Sequence, residues 1–516
     1  MQTLKELINE IVKRCPDKTA FIFENRSLTF GQVNQRINSL VNALADLGVE
    51  KGDRVGILAY NCPQYFEVFG LAKAGRVCVP LNYRSVGREL AYLINDSDIS
   101  TLILESEFID VVESIRLELK GVRTYICLDG EAESMSSYER LIDTYRSDEP
   151  TEGVGADDPA ALYYTSGTTG HPKGAIHTHR SLMAEIAVHH GNFGADGVAL
   201  CVMPFFHVGG SAAHVFPAFA DGATMVIHRG FDDTEVLEAI EKQKVTYVGL
   251  VPAMIIRLLE HPGLDQYDLS SLRTIMYVGA PMPLDALRRG LDRFGEVFIQ
   301  LFGQTETMNV AVLEKEEHKL EGSAEELRRL GSAGKPLGDG EVRIVDDQGH
   351  DVPLGEAGEI LARSDRMMSG YWRKPEETAE TIRDGWLHMG DVGRMDEDGY
   401  IYLVDRKKDM IISGGENIYS REVEEVLYTH PAILEAAVVG VPDEKWGESV
   451  KAVVVLKGGG EASEEEIIEF CKEHLASYKK PRSVEFRESL PKTGSGKIKK
   501  GEIREDYWKG QERRIH

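Results

Sequence analysis

Cysteine is scarce and scattered in this sequence: Cys15, Cys62, Cys78, Cys127, Cys201 and Cys471 are far apart and form no C-x-x-C pair. That excludes the usual zinc spacings and a disulfide framework, and it fits a reducing compartment. Long apolar runs are also missing. The opening MQTLKELINEIVKR threads charges through its apolar residues, unlike a signal peptide, and no stretch reaches the roughly 20 residues of a membrane span. A cytoplasmic chain with no integral membrane contact is expected. Positive charge is in deficit, with 59 Lys+Arg against 85 Asp+Glu and a formal net charge of -26. Such a surface repels nucleic acid, so no nucleic-acid partner is expected. What the chain does have is length: 516 residues exceed what one hydrophobic core serves and leave room for a deep pocket. A large enzyme of two or more domains is the default, with a homodimer as the prior for its assembly.

Residues 31 to 47 place Val33, Ile37, Leu40, Val41, Leu44 and Leu47 at helical spacing, followed by Gly48 and the apolar run Val55 to Ala59. This predicts helix, turn, strand. The alternation recurs: helix Tyr65 to Lys73, strand Val77 to Leu81, helix Glu89 to Ile94, strand Thr101 to Leu104, and further units from Ala223 to Phe294. It predicts a largely parallel sheet covered by helices. From about Glu341 short strands and Gly-rich turns predict an antiparallel subdomain. After the charged cluster Asp405 to Asp409 a compact set of strand and helix signals predicts a small α+β domain. The fold class expected is thus α/β plus α+β, with domains at 1–407 and 408–516.

The segment Tyr163 to Gly174, YYTSGTTGHPKG, packs hydroxyl residues and glycines beside Lys173. Glycines allow close backbone approach, hydroxyls bond phosphate oxygens and the lysine adds charge. It lacks the G-x-x-x-x-G-K-[ST] spacing of a Walker A loop. Composition alone leaves a solvated turn and a phosphate site both open. The string TSGTTGHPKG, however, closely resembles the signature loop of the adenylate-forming superfamily of acyl- and aryl-CoA synthetases, luciferases and peptide-synthetase adenylation domains. The resemblance implies that Thr165, Ser166, Gly167, Thr168, Thr169, Gly170 and Lys173 hold the β- and γ-phosphates of ATP.

The family's other motifs follow in order. PFFHVGG, Pro204 to Gly210, resembles the segment lining the acyl pocket, with His207 at the gate; Phe205, Val208, Met308 and Val310 are the expected apolar walls. GAPMPL resembles the turn near adenine and acyl chain, which brings in Gly279 and Ala280. LFGQTET resembles the aromatic-Gly-x-Thr-Glu motif, so Phe302, Gly303 and Gln304 are expected near the nucleotide, Thr305 at the α-phosphate and Glu306 on Mg²⁺, a hard cation that needs oxygen ligands. Phe302 replaces the more common tyrosine. WLHMGDVG implies that Asp391 accepts the ribose hydroxyls, although His388-Met389 stands where Arg-Thr is usual. DRKKDMIISGGENI places Arg406 at the ribose and phosphate, Lys408 at an interdomain hinge, and Gly414, Gly415 and Glu416 along the thiol tunnel. PKTGSGKIKK carries the expected catalytic lysine, Lys497.

The resemblance implies an AMP-forming carboxylic acid:CoA ligase that uses ATP, Mg²⁺ and coenzyme A. A fatty and an aryl acid remain equally open. Three rivals share some of these features. An amino-acid adenylation domain would carry an aspartate where His207 stands. A luciferase-like oxygenase would need oxygen chemistry, for which the sequence has no signal. A catalytically silent nucleotide sensor sits poorly with the joint presence of Lys497, Glu306 and Asp391.

Overall fold

The computed structural model describes residues 1–165, 172–280, 282–406, 409–413, 416–443, 445–458, 460–493 and 497–509. Among these, four sheets account for the strands. In the nine-stranded sheet, Phe298–Gln304, Thr274–Val278, Tyr247–Leu250, Val198–Cys201, Thr224–Ile227 and Thr19–Phe23 run parallel in that spatial order. Antiparallel strands close both edges. The eight-stranded sheet is also parallel through its centre, then continues through the antiparallel hairpin of Pro159–Tyr164 and Gly174–Thr178 to the edge strand Gly370–Tyr371. Both sets of central strands read as nearly unbroken apolar runs because helices cover both faces.

One core joins these two sheets. The helix Phe30–Asp46 starts at a capping box of Thr29 and Gln32, which satisfies two otherwise unpaired backbone donors. Its Phe30 packs on Phe219 with ring centroids 4.8 Å apart, and Phe219 meets Phe66 at 4.4 Å. Truncating one of these rings to alanine costs about 3–5 kcal/mol. The helix expected at 65–73 runs instead as Pro63–Phe69 followed by a tighter 3₁₀ turn, Gly70–Ala74. The tightening brings Gly70 so close to Ile37 that a Cβ there would lie 2.6 Å from Ile37 Cδ1.

The third sheet is antiparallel, as the change of texture near Glu341 predicts: Glu341–Val345, Gly358–Arg363, Trp386–Met395 and Ile401–Arg406 form its ladders. It ends at Arg406, and the fourth sheet begins at Ile411. That sheet pairs the long strands Ile433–Asp443 and Gly447–Leu456 and is backed by the helices Ser420–Tyr428 and Glu464–His474. Asp405 ties the two regions together. Its carboxylate accepts from the Ser420 backbone and hydroxyl, and Lys500 Nζ donates to the same hydroxyl at 2.7 Å while pairing with Glu424 at 3.0 Å.

Among the described residues, no helix is long and apolar enough to cross a membrane.

Candidate active site

The C-terminal ends of parallel strands are where open α/β sheets bind ligands, because the loops there diverge and leave a crevice. Here four neighbouring strands end in one cleft, contributing Met203, Val251, Gly279 and Gln304. The cleft continues to the third sheet at Asp391 and Arg406 and to the C-terminal region at Lys497. Thr165, Lys173, Ala280 and Phe302 also line it.

The segment expected to hold phosphate joins the two strands of the hairpin of the second sheet, whose register pairs Tyr164 with Gly174. Thr165 N–H donates to Lys173 carbonyl at 2.9 Å and closes its base. Ser166, Gly167, Thr168, Thr169 and Gly170 lie outside the described residues, as do Lys408, Gly414 and Gly415. Lys173 Nζ stands 4.6 Å from the ring centroid of Tyr371, a cation–π contact. Tyr371 in turn donates to Glu306 Oε1 at 2.8 Å. Tyr371 is a site residue that the motifs do not mark; it arrives because Gly370–Tyr371 pairs as an edge strand with Ala175 and Ile176.

The Thr305-Glu306 pair sits on a tight turn between Phe298–Gln304 and Met308–Leu313. The register slips by a bulge between Phe302 and Gly303, and a Cβ on Gly303 would overlap the Met308 carbonyl oxygen. Met308 adopts φ 54°, an uncommon conformation for a residue with a long side chain. His177 Nε2 donates to the Thr305 carbonyl at 2.8 Å. Burial pushes that imidazole down to about 4, so it is neutral and anchors the turn without adding charge.

A second set of groups gathers on the opposite wall. Gln304 Nε2 donates to Asp391 Oδ2 at 2.6 Å and to the Met389 carbonyl at 2.7 Å. Arg406 Nε pairs with Asp391 Oδ1 at 3.1 Å, across adjacent strands whose register aligns the two residues. Asp391 is buried, so its remaining lone pairs suit a diol that offers two hydroxyl donors.

Lys497 reaches this space from the C-terminal loop. Thr493 N–H donates to the Lys497 carbonyl at 2.7 Å, and Lys497 N–H donates to Thr493 Oγ1 at 3.1 Å. A Cβ on Gly279 would stand only 3.6 Å from Lys497 Cε, and Gly279 has φ 94°; the bare backbone leaves a channel for the lysine stem. Burial, with Arg406 adding repulsion, lowers the Lys497 ammonium to about 8, against the pull of Asp391 and Glu306. His207 lies close by: burial first, then Lys497, pushes its imidazole down to about 4. Its Nδ1 accepts from Gly209 N–H at 3.1 Å, which leaves the ring proton on Nε2, available as a donor.

Not every expected residue joins the cleft. Phe205 points into the main core, with its ring 5.9 Å from Tyr65, and the adjacent Phe206 lines the cleft instead. Val310 packs behind the sheet against Ile344 and Met368, since alternation along the strand sends it away from the face that Asn309 uses. These two are corrections to the expected acyl walls; Val208 and Met308 do line the cleft. Glu416 is exposed on the edge strand Glu416–Ile418 and does not line the cleft in this arrangement.

Comparison with known proteins identifies the family. The model of the "AMP-binding enzyme" family matches residues 8–372, and that of its C-terminal domain matches 422–497. A feruloyl-CoA synthase from an Amycolatopsis species is 42% identical over 95% of this chain and 96% of its own. A long-chain-fatty-acid–CoA ligase of Bacillus subtilis is 36% identical over 98% of this chain and 94% of its own. The crystal structure of the anthranilate CoA ligase AuaEII with anthranoyl-AMP superimposes with a TM-score of 0.89 at 30% identity, covering 98% and 97% of the two chains. On the match of a family model to most of its length, and of its relatives to nearly all of it, the chain belongs to the AMP-binding enzyme family.

Proposed function

We propose that this protein is an AMP-forming carboxylic acid:CoA ligase in which Lys497, Thr305, Glu306 and Asp391 carry the nucleotide chemistry. The observation that supports it most is the placement of Lys497: an ammonium from the C-terminal loop beside Gly279, within the electrostatic reach of Asp391, Glu306 and Arg406. A carboxylate cannot expel oxide, so it must first be given a better leaving group. Its oxygen attacks the α-phosphorus of ATP, the bond to the bridging oxygen breaks, and pyrophosphate leaves with that electron pair. The Lys497 ammonium offsets charge gathering between the carboxylate and α-phosphate oxygens. Neutral His207, with its proton on Nε2, orients the carboxylate by donation. Asp391 and Arg406 fix the ribose, and Lys173 with the hydroxyls of its loop holds the outer phosphates.

Magnesium belongs to this reading. Among the described residues no cluster of three metal-ligating side chains exists, but Glu306 offers a carboxylate facing the cleft, which suits a cation held mainly by ATP phosphates. When bound, it would shield the charge of the triphosphate.

In the second step a thiolate of coenzyme A attacks the acyl carbon and AMP leaves. Lys497 fills the site here while Glu416 stands outside it, so we assign the second step to another placement of the small domain, turned about Lys408, with Gly414, Gly415 and Glu416 brought to the thiol. The relatives named above act on aryl and on fatty acids, and both classes suit a wall built from Val208 and Met308. The test is a panel of acids assayed for ATP-dependent pyrophosphate release and for CoA-dependent AMP and acyl-CoA. Pyrophosphate without acyl-CoA, or neither product with any acid, would overturn the reading.

A further inference from the structure

Three residues after the lysine that enters the cleft stands a lysine that does not reach the assigned phosphate site. Lys500 opens the helix Lys500–Trp508. Its Nζ donates to Ser420 Oγ at 2.7 Å and pairs with Glu424 at 3.0 Å, with Asp405 Oδ1 3.9 Å away. Ser420 Oγ donates in turn to Asp405 Oδ2 at 2.8 Å, so the hydroxyl relays between ammonium and carboxylate. Burial would lower the Lys500 ammonium, but Glu424, Asp405 and Asp409 together outweigh it and raise it, so the lysine is charged.

Asp405 also caps a helix. The helix Ser420–Tyr428 has Tyr419 at its N-cap and no side-chain cap of its own. The Ser420 N–H donates to Asp405 instead, a carboxylate brought by the third sheet to a helix end where negative charge is favoured. Asp405 lies on the strand Ile401–Arg406 opposite Val392, and its neighbour Arg406 stands opposite Asp391. These contacts are therefore anchored one residue from the wall assigned to the ribose.

The hinge assigned to Lys408 divides them. Asp405 precedes it in the chain; Ser420, Glu424 and Lys500 follow it. Glu424 is fixed within the small domain, where it accepts from Val438 N–H at 2.8 Å. A turn between rigid bodies leaves such internal contacts intact, so Lys500 keeps Glu424 and gives up Asp405. The link from Lys500 to Lys497 is short and bonded: Lys499 N–H donates to the Pro491 carbonyl at 2.8 Å, Lys492 and Ile498 pair as a bridge, and Thr493 is bonded to Lys497. Where Lys500 is held, Lys497 is held.

Resting on the ligase reading above and its turn about Lys408, we propose that Asp405, Ser420 and Lys500 form a latch that holds the small domain where Lys497 reaches the α-phosphate, and that the latch opens for the thiol step. All three are positioning residues, which act through Lys497 and touch no reacting atom.

The test separates the half-reactions in Lys500→Met, which keeps the stem and loses the charge, in Asp405→Asn and in the conservative Lys500→Arg, with 3-phenylpropenoic and octanoic acids as probes. ATP–pyrophosphate exchange reads the first half-reaction, and acyl-CoA formation from supplied acyl-AMP reads the second. In Lys500→Met and Asp405→Asn the kcat for exchange is expected to fall about tenfold with KM for ATP within about twofold, because fewer molecules hold the competent placement while the nucleotide contacts stay intact. Acyl-CoA formation from acyl-AMP is expected to keep at least the wild-type rate. Lys500→Arg, which keeps the charge, should hold exchange within about threefold of wild type. Should a charge variant fail to fold, Ser420→Ala removes only the relaying hydroxyl and is expected to show the same split at about threefold. Equal loss in both half-reactions, which a merely structural role would give, overturns the latch. Wild-type exchange that these variants leave unchanged defeats this inference and leaves the ligase reading standing, whereas absence of wild-type exchange with both acids defeats both.

Discussion

Gln304 Nε2 donates to Asp391 Oδ2 at 2.6 Å across 87 residues of sequence, so the carboxylate we assign to the ribose is aimed by the residue that precedes Thr305. Removing the carboxylate leaves two ribose hydroxyls without an acceptor, a loss of about 1–3 kcal/mol. Asp391→Ala is therefore expected to raise KM for ATP by roughly tenfold or more. Gln304→Leu, which frees the carboxylate without deleting it, should raise KM less. ATP–pyrophosphate exchange measures both, and an unchanged KM in Asp391→Ala would remove that residue from the site.

Lys497 carries a pH signature. Its ammonium is lowered to about 8, so the charged form predominates below that value and is lost above it. For exchange activity, kcat/KM for ATP reports the free enzyme and is expected to fall by about tenfold per pH unit above 8. Lys497→Arg, always charged, should flatten that limb even at reduced activity. Lys497→Ala should abolish acyl-adenylate formation while sparing acyl-CoA formation from supplied acyl-AMP. Equal loss in both half-reactions contradicts the assignment.

Glu306 and Tyr371 separate the metal from its support. Glu306→Gln replaces a carboxylate by a poorer ligand for a hard dication, and the Mg²⁺ concentration for half-maximal exchange is expected to rise by about tenfold. Tyr371→Phe deletes the 2.8 Å donor to Glu306 but keeps the ring over which Lys173 sits, so a smaller shift is expected. A magnesium titration identical to wild type in both variants would refute the role.

The break between Arg406 and Ile411 is where we place the hinge. Lys408→Pro fixes one φ and restricts the residue before it. It is expected to retain pyrophosphate release and depress acyl-CoA formation, with Gly415→Leu obstructing the second step alone. If both variants make acyl-CoA at the wild-type rate, rotation about Lys408 is wrong for this protein.

The half of the site that we assign to the nucleotide was legible as a set of strings: Thr305-Glu306, Asp391 and Lys497, far apart in the chain, meet in one cleft, while most of the TSGTTGHPKG loop lies outside the described residues. The acid half was not. PFF offers two aromatic rings, and only the packing around Tyr65 shows that Phe205 turns to the core and Phe206 to the cleft. Val310 and Asn309 differ by one residue, and strand register decides between them. Glu185, on the helix His179–Val188, carries no motif, and its burial depends on Asn309 from a strand far away along the chain. His177 and Tyr371 are second partners to Thr305 and Glu306, and they become visible only once the edge pairing of the second sheet is known.

The turn from Gly303 to Asn309 bears on how such an enzyme could change its diet over evolutionary time. Its first half holds the groups assigned to the nucleotide and its second half, through Met308 and Asn309, lines the part of the cleft that we assign to the acid. A fold in which these were separate modules could exchange one without touching the other. Here the bulge at Gly303 and the left-handed backbone of Met308 bind them into a single mechanical piece, so a substitution that reshapes the floor also strains the neighbouring Glu306. Changes in substrate range at these two positions should therefore be inherited together with changes in turnover. The freer route to a new substrate runs through Ala213 and Val208, which line the same cleft from a separate part of the chain.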